Sequence, residues 1–227
     1  KMINEFLDAD KLILYTQGNA RARMDFTSNG QGRYKDIRVD VLISEFSASA
    51  SEIFAGAIQD NDRGLIIGRR SFGKGLVQEQ RPLSDGSAVR LTVARYYTPS
   101  GRSIQKPYDQ GKEKYYSDIY NRMMHGEFSQ RDSITFDENL KYQTVGGRTV
   151  YGGGGIMPDV FVPADTTGAT RYLAAVTRTQ FLYDYTFDFM DRHRNEMKDL
   201  KDYKAIQRYL KQFDLVNEMA NYAARRG

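Results

Sequence analysis

The chain has 227 residues, 40% of them hydrophobic and 27% charged. That suits one large α/β domain or a smaller one with an appendage, and it excludes wholesale disorder. With no cysteine and only two histidines, His125 and His193, the chain cannot carry a disulfide framework, a thiol nucleophile, a Cys-ligated metal centre or a His-rich metal site. The net charge is +4, from 33 basic and 29 acidic residues. Glu196, Asp199 and Asp202 interrupt its densest basic stretch, which therefore reads as a solvated helical face rather than a nucleic-acid surface. No apolar run approaches the roughly 18 residues of a membrane span.

Taken in chain order, Met2 to Leu7 reads as the end of a helix and Leu12 to Thr16 as a short buried strand. Residues 17–36, with Gly18, Asn29, Gly30 and Gly32, read as a loop or lid. Val39 to Ile43 is a second buried strand. Ala50, Ile53, Phe54, Ala57 and Ile58 then form one apolar stripe at helical spacing. Gly64 fits a helix stop before a strand at Leu65 to Ile67. The segments Leu76 to Leu83 and Ala88 to Tyr97 flank Ser84-Asp85-Gly86-Ser87, a hairpin signal, and Thr98 to Gly101 breaks the second strand. Residues 106–140 are polar, with one short helical candidate from Ser117 to Met124. The run Gly152 to Gly155 reads as a turn before a short strand, Val160 to Val162. From Thr170 onward the chain reads as helical, with an amphipathic stretch at Tyr203, Ile206, Tyr209, Leu210 and Phe213.

Two segments carry chemistry. Ser47, Ser49 and Ser51 stand at a strand-to-helix junction. The plain reading is capping: Ser49-Ala50-Ser51-Glu52 fits a capping box. A serine there is also well placed as a nucleophile, because the N–H of the next residue, Ala50, can face an oxyanion and the helix dipole favours negative charge. The second segment is Gly68 to Gly75. Gly68, Gly73 and Lys74 imitate a phosphate-binding loop, but Gly75 replaces the required Ser or Thr and a strand follows where a helix is needed. Alternatively Lys74 is a general base, provided that neighbours such as Phe72 and Leu76 remove it from water. A surface lysine in a Gly-rich turn is the bland alternative.

Four ordered stretches carry a family likeness: Phe46 to Asp60, Gly68 to Gln78, Leu91 to Gln105 and Gly153 to Asp159. Together they resemble the carboxyl-terminal processing peptidases, or tail-specific proteases, over roughly residues 1–165. The resemblance implies a ClpP/crotonase-like α/β fold: a mixed sheet with flanking helices, plus a helical C-terminal extension. It implies a peptidase core at residues 1–167, truncated at its N-terminus, and an extension at 168–227. It implies Ser49 as nucleophile, Lys74 as general base, Gln78 as the residue that orients the lysine, and Ala50 N–H as an oxyanion donor. Along a regular strand Lys74 and Gln78 share a face about 13 Å apart, so their contact needs a bend at Gly75.

The activity implied is a serine endopeptidase of Ser-Lys type, cleaving proteins near their C-termini, with no metal or organic cofactor. Partners are protein or peptide substrates held by their C-terminal tails, with no nucleic acid, no membrane span and room for a homo-oligomer. The location implied is the bacterial cell envelope, in the periplasm. The tail-binding PDZ domain and a second oxyanion donor of the family are not found in these residues, so this stretch alone is expected to be weakly active or inactive. The alternative is a non-catalytic relative that keeps the fold for binding. The helical tail has no assigned role; packing on the core and dimerisation both fit it.

Overall fold

A computed structural model describes residues 1–168 and 170–226. It divides the chain into two compact units, Lys1–Ala164 and Asp165–Gly227.

The first unit is mixed α/β. Its strands are β1 (Leu12–Gln17), β2 (Met24–Thr27), β3 (Asp40–Ile43), β4 (Leu65–Gly68), β5 (Leu76–Pro82), β6 (Ala88–Tyr97), β7 (Lys141–Gln143), β8 (Thr149–Tyr151) and β9 (Val160–Phe161). Helix α1 (Ala50–Asp60) joins β3 to β4, and α2 (Lys112–Met124) follows β6. An antiparallel sheet has the order β2-β1-β6-β5, a parallel sheet the order β3-β4-β9, and β7 and β8 form a separate hairpin.

The parallel sheet positions the site. Strands β3 and β4 pair in register from Asp40–Leu65 to Ile43–Gly68, so both leave the sheet at the same end. Ligand sites in parallel α/β layers form outside the carboxyl ends of the strands. Helix α1 crosses between them, and its apolar residues Ala55 and Ile58 close a core with Val39, Ile43, Ile66, Ile104 and Ile156. A further cluster, Ile3, Leu7 and Ala57, anchors the first residues.

Several elements differ from the sequence reading. The helix end expected at Met2 to Leu7 is a 3₁₀ helix of four residues, Met2–Glu5. Residues 17–36 contain β2, which pairs with β1; it is exposed throughout and only four residues long, too short for its Met24/Phe26 alternation to stand out among the turn residues around it. Helix α2 begins at Lys112, five residues before the expected start at Ser117. Its polar first turn, entered through Gly111, has no side-chain cap and little apolar periodicity. The β7–β8 hairpin is also additional, with strands of three residues each.

The second unit contains α3 (Arg171–Arg178), α4 (Phe181–Arg192), α5 (Arg194–Met197), α6 (Tyr203–Leu210) and α7 (Leu215–Ala224). Its core is Val176, Tyr185, Phe189, Met219 and Ala223. Asp202 caps α6 and Asp214 caps α7, each accepting a backbone N–H from the first turn. Among the described residues no helix is long and apolar enough to cross a membrane.

Candidate active site

Strand β3 delivers the chain to a tight turn in which Ser47 N–H bonds to Ser44 carbonyl at 2.9 Å. Ser49 follows as the residue before α1, with φ 59° and ψ −118°. A non-glycine residue at positive φ outside the left-handed helical well is strained, and such strain persists only where the surroundings over-determine it. Here the determinant is Glu52, which is fully buried and whose Oε2 accepts Ser49 N–H at 2.9 Å. Ser49 and Glu52 thus form the capping box expected from the sequence. The Glu52 N–H itself bonds to the Ser49 carbonyl at 3.0 Å. Ala50 N–H takes part in none of the hydrogen bonds formed among the described residues, and Ser49 and Ala50 are both exposed.

The loop leaving β4 comes to the same place. Arg69 N–H bonds to Ile43 carbonyl at 3.2 Å and Phe72 N–H to Ser47 carbonyl at 2.9 Å, tying this loop to the serine turn. Glu52 then collects three more donors. Its Oε1 accepts Ser71 Oγ–H and Gly73 N–H, each at 2.6 Å, and its Oε2 accepts Lys74 N–H at 2.8 Å. Gly73 has φ 89°, and a Cβ there would sit 3.0 Å from Gly155 N and from Lys106 Cβ; only glycine fits.

The other two motifs complete the frame. Gln105 Oε1 accepts Gly75 N–H at 2.9 Å. Ser71 Oγ accepts Ile156 N–H at 2.7 Å. Beneath α1, Arg102 Nη2 donates to Asp60 Oδ1 and to Gln59 Oε1, each at 2.6 Å. Gln59 Nε2 reaches Met157 carbonyl and Asp159 Oδ1, each at 2.9 Å. All four motif segments therefore converge on the two ends of α1.

The side chains expected to do chemistry are brought to one region but are not joined. Among the described residues no hydrogen bond links Ser49 Oγ to Lys74 Nζ, and the Lys74 side chain is exposed. The desolvation expected from Phe72 is not seen at Lys74, because the Phe72 ring packs on Lys106 Nζ and Tyr115 instead. Gln78 is exposed and its Nε2 donates to Thr92 Oγ1 at 3.4 Å, not to the lysine. A register shift between Val77 and Gln78 interrupts the side-chain alternation assumed for a regular strand. Each histidine has a partner within its own unit: His125 Nδ1 bonds to Asn121 carbonyl at 2.6 Å and His193 Nδ1 to Tyr209 hydroxyl at 2.9 Å.

Sequence reasoning sees Glu52 only as a cap and misses its grip on the lysine loop. The capping box is the signal that singles the residue out. It assigns no role to Ser71, Asp60, Arg102 or Lys106, whose partners lie far away in sequence.

Comparison with known proteins follows the same division. Residues 1–111 match peptidase family S41, and residues 172–227 match a family of unknown function, DUF8443. The carboxyl-terminal-processing protease of Synechocystis is 43% identical over 97 residues, which cover 43% of this chain and 22% of that protein. The carboxy-terminal-processing protease of Bartonella bacilliformis is 65% identical over 65 residues, 29% of this chain and 15% of that protein. The chloroplastic C-terminal processing peptidase of Tetradesmus obliquus is 59% identical over 66 residues, 29% of this chain and 14% of that protein. The matched part thus spans about a fifth or less of these relatives. Among solved structures, the photosystem II D1 C-terminal processing protease aligns with a TM-score of 0.48 at 28% identity, over 71% of this chain and 30% of that one.

Proposed function

We propose, from the premise that residues 1–111 belong to peptidase family S41, that this chain carries the chemistry of a serine peptidase. Ser49 is the nucleophile, Lys74 the general base and Ala50 N–H an oxyanion donor. Lys74 Nζ, in its neutral form, takes the proton from Ser49 Oγ as the hydroxyl attacks the scissile carbonyl. Negative charge on the carbonyl oxygen meets the unpaired Ala50 N–H and the start of α1. Lys74 returns the proton to the leaving amine, and an ester to Ser49 remains. Water, deprotonated by the same lysine, attacks that ester and releases the acid and the free serine.

The observation that carries this reading is the backbone of Ser49, held at φ 59° and ψ −118° in a turn from strand to helix. Capping alone needs no such conformation, since capping residues normally adopt extended angles. Ser49 is exposed at the helix start, and the Ala50 N–H beside it, one of the first N–H groups of α1, has no intrahelical partner. Because Lys74 is exposed, the bound substrate must supply the cover that makes its neutral form accessible. Gln78 then orients the amine from the neighbouring strand.

The names of the relatives support cleavage near protein C-termini as the specificity; engagement of substrates by their tails and a place in the bacterial envelope follow from the family resemblance alone. The peptidase core is assigned to residues 1–167 and the helical part, residues 168–227, to a separate role. One observation favours the competing reading, a fold kept for binding alone: Ser49 and Lys74 are both exposed and not hydrogen-bonded to each other. A serine-reactive acylating probe separates the two. A peptidase forms a stoichiometric ester at Ser49 that Lys74→Ala suppresses; labelling independent of Lys74 refutes the dyad.

A further inference from the structure

Lys106 follows the third motif directly and has no part in the reaction above. Its side chain is nevertheless enclosed, with the residue 5% exposed. Nζ lies 4.1 Å from the centroid of the Phe72 ring and 4.4 Å from that of Tyr115, and it donates to Asp118 Oδ2 at 3.0 Å. The two rings meet edge to face at 5.9 Å. A cation between two aromatic faces, with a carboxylate alongside, joins whatever elements carry those groups. Here they are α2 and the loop bearing Lys74.

The rest of the contact runs the same way. Lys106 N–H donates to Gly73 carbonyl at 3.0 Å. From α2, Arg122 donates to Arg70 carbonyl at 2.7 Å and to Ser71 carbonyl at 3.1 Å. Glu127 accepts from both Arg70 and Arg122. Glu52 therefore holds the Gly73 and Lys74 N–H groups of this loop, while the Lys106 backbone N–H and the Arg122 guanidinium hold its carbonyls at Gly73, Arg70 and Ser71. Helix α2 begins at Lys112, beyond the 1–111 stretch matched by the peptidase family.

We propose that Lys106 is a positioning residue: its charged ammonium clamps α2 onto the 70–75 loop and so sets the place of Lys74. The catalytic part of this proposal rests on Lys74 being the base. Burial pushes the Lys106 ammonium below the ordinary lysine range; the Asp118 pair opposes this, and Arg122 and Arg70 add to it. Burial pushes the Tyr115 phenol up. A cavity of about 350 Å³, lined by Lys106, Pro107, Gln110, Lys114, Asp118 and Asn121, gives water access to the group. Loss of the Lys106 proton removes both the ion pair and the attraction to the rings, so alkaline pH releases the clamp.

Two variants of the 227-residue chain test this. Lys106→Met keeps the bulk and loses the charge; Lys106→Arg keeps the charge at every accessible pH. In Lys106→Met, hydrogen exchange of the amides of residues 71–75 rises about tenfold or more, while those of β4 and the last turns of α1 are unchanged. Lys106→Arg stays near the native rates. On a fluorogenic peptide, Lys106→Met lowers kcat by roughly 10- to 100-fold with little change in KM. Lys106→Arg restores kcat and moves its alkaline decline upward by about one pH unit or more. Unchanged exchange at 71–75, exchange raised throughout the unit, or an alkaline limb identical in Lys106→Arg each overturns the proposal. If the native chain turns over no peptide, the exchange data still decide the clamp, and the peptidase reading alone fails.

Discussion

One oxygen of the buried Glu52 carboxylate accepts the backbone N–H of Ser49 at 2.9 Å and that of Lys74 at 2.8 Å. The two residues proposed as nucleophile and base are thus set in place through their main chains by a third. Glu52→Gln leaves one good acceptor for four donors and turns an amide toward the others. Each charge-assisted bond lost costs about 1.5–3 kcal/mol, and the losses do not add. The expected outcome is a loss of about 3 kcal/mol in urea unfolding and a fall in kcat that exceeds any rise in KM. Native kcat in a folded Glu52→Gln chain would show that the carboxylate does not position the pair.

Ser49 and Lys74 are expected to act as one unit. Ser49→Ala and Lys74→Ala each remove most turnover, and the double variant costs little more than either alone. Changing His125 and His193 together to Gln leaves the pH–rate profile intact, because the proposed base is Lys74 and the two rings are engaged by Asn121 and Tyr209. Gln78→Ala costs less than Lys74→Ala, since Gln78 contacts Thr92 here rather than the lysine. Multiplicative losses in the Ser49/Lys74 double variant would place the base elsewhere.

The parts of this architecture legible in the sequence are those with local signals. The stripe Ala50 to Ile58 marks α1, and Ser84 to Ser87 turns β5 into β6 with Pro82 opposite Ala88. The proposed Ser49 and Lys74 are conspicuous because each stands in an unusual local setting, a helix start and a Gly-flanked turn. The β7–β8 hairpin is not legible, because it is anchored from outside: Asp62 accepts from Thr144 Oγ1, Gly146 N–H and Arg148 Nε. The exposure of Lys74 is equally hidden. Proximity in sequence suggests that Phe72 covers it, whereas Tyr115 and Lys106, brought in from elsewhere, take that ring.

That Asp62 anchor predicts acid behaviour. Burial works against its carboxylate, but the bonds from Arg148, Gly146 and Thr144 outweigh it and hold the pKa below the usual value. A depressed folded pKa means that the unfolded chain protonates first. The stabilisation is present above the unfolded value of about 3.9 and is lost as pH falls through the folded one. Asp62→Asn should flatten the decline of stability below about pH 4 and loosen β7–β8 at neutral pH. Chemical denaturation from pH 2 to 7 reads the first effect and hydrogen exchange at 141–151 the second. An acid limb of native slope in Asp62→Asn contradicts the assignment.

Arg102 predicts a large coupling. Its side chain is 1% exposed and its partner Asp60 is fully buried, 2.6 Å away. Arg102→Met leaves the Asp60 carboxylate, among the described residues, with the Ser100 N–H and hydroxyl as its donors. Breaking a buried pair from one side costs about 3–5 kcal/mol, whereas removing both charges costs less. Asp60→Asn combined with Arg102→Met should therefore be more stable than Arg102→Met alone. Simple additivity in urea unfolding would mean that the carboxylate finds other compensation.

The helical unit carries its own pH signature. Tyr185 is 6% exposed and its hydroxyl donates to Glu218 Oε2 at 3.0 Å. Burial, followed by that bond to a carboxylate, pushes the phenol up to about 12. An unfolded tyrosine titrates near 10, so the folded chain keeps a proton that the unfolded chain gives up. This contribution is complete below about pH 10 and is lost as pH rises from about 10 to 12. Tyr185→Phe deletes it together with the hydrogen bond, at about 1 kcal/mol near neutrality. The stability of the native chain should then fall more steeply than that of Tyr185→Phe across this alkaline window. Absorbance titration of the two proteins should differ by one phenol that ionises late. Parallel stability curves, or a missing phenol that titrates near 10, would show that the Tyr185–Glu218 contact does not hold in solution.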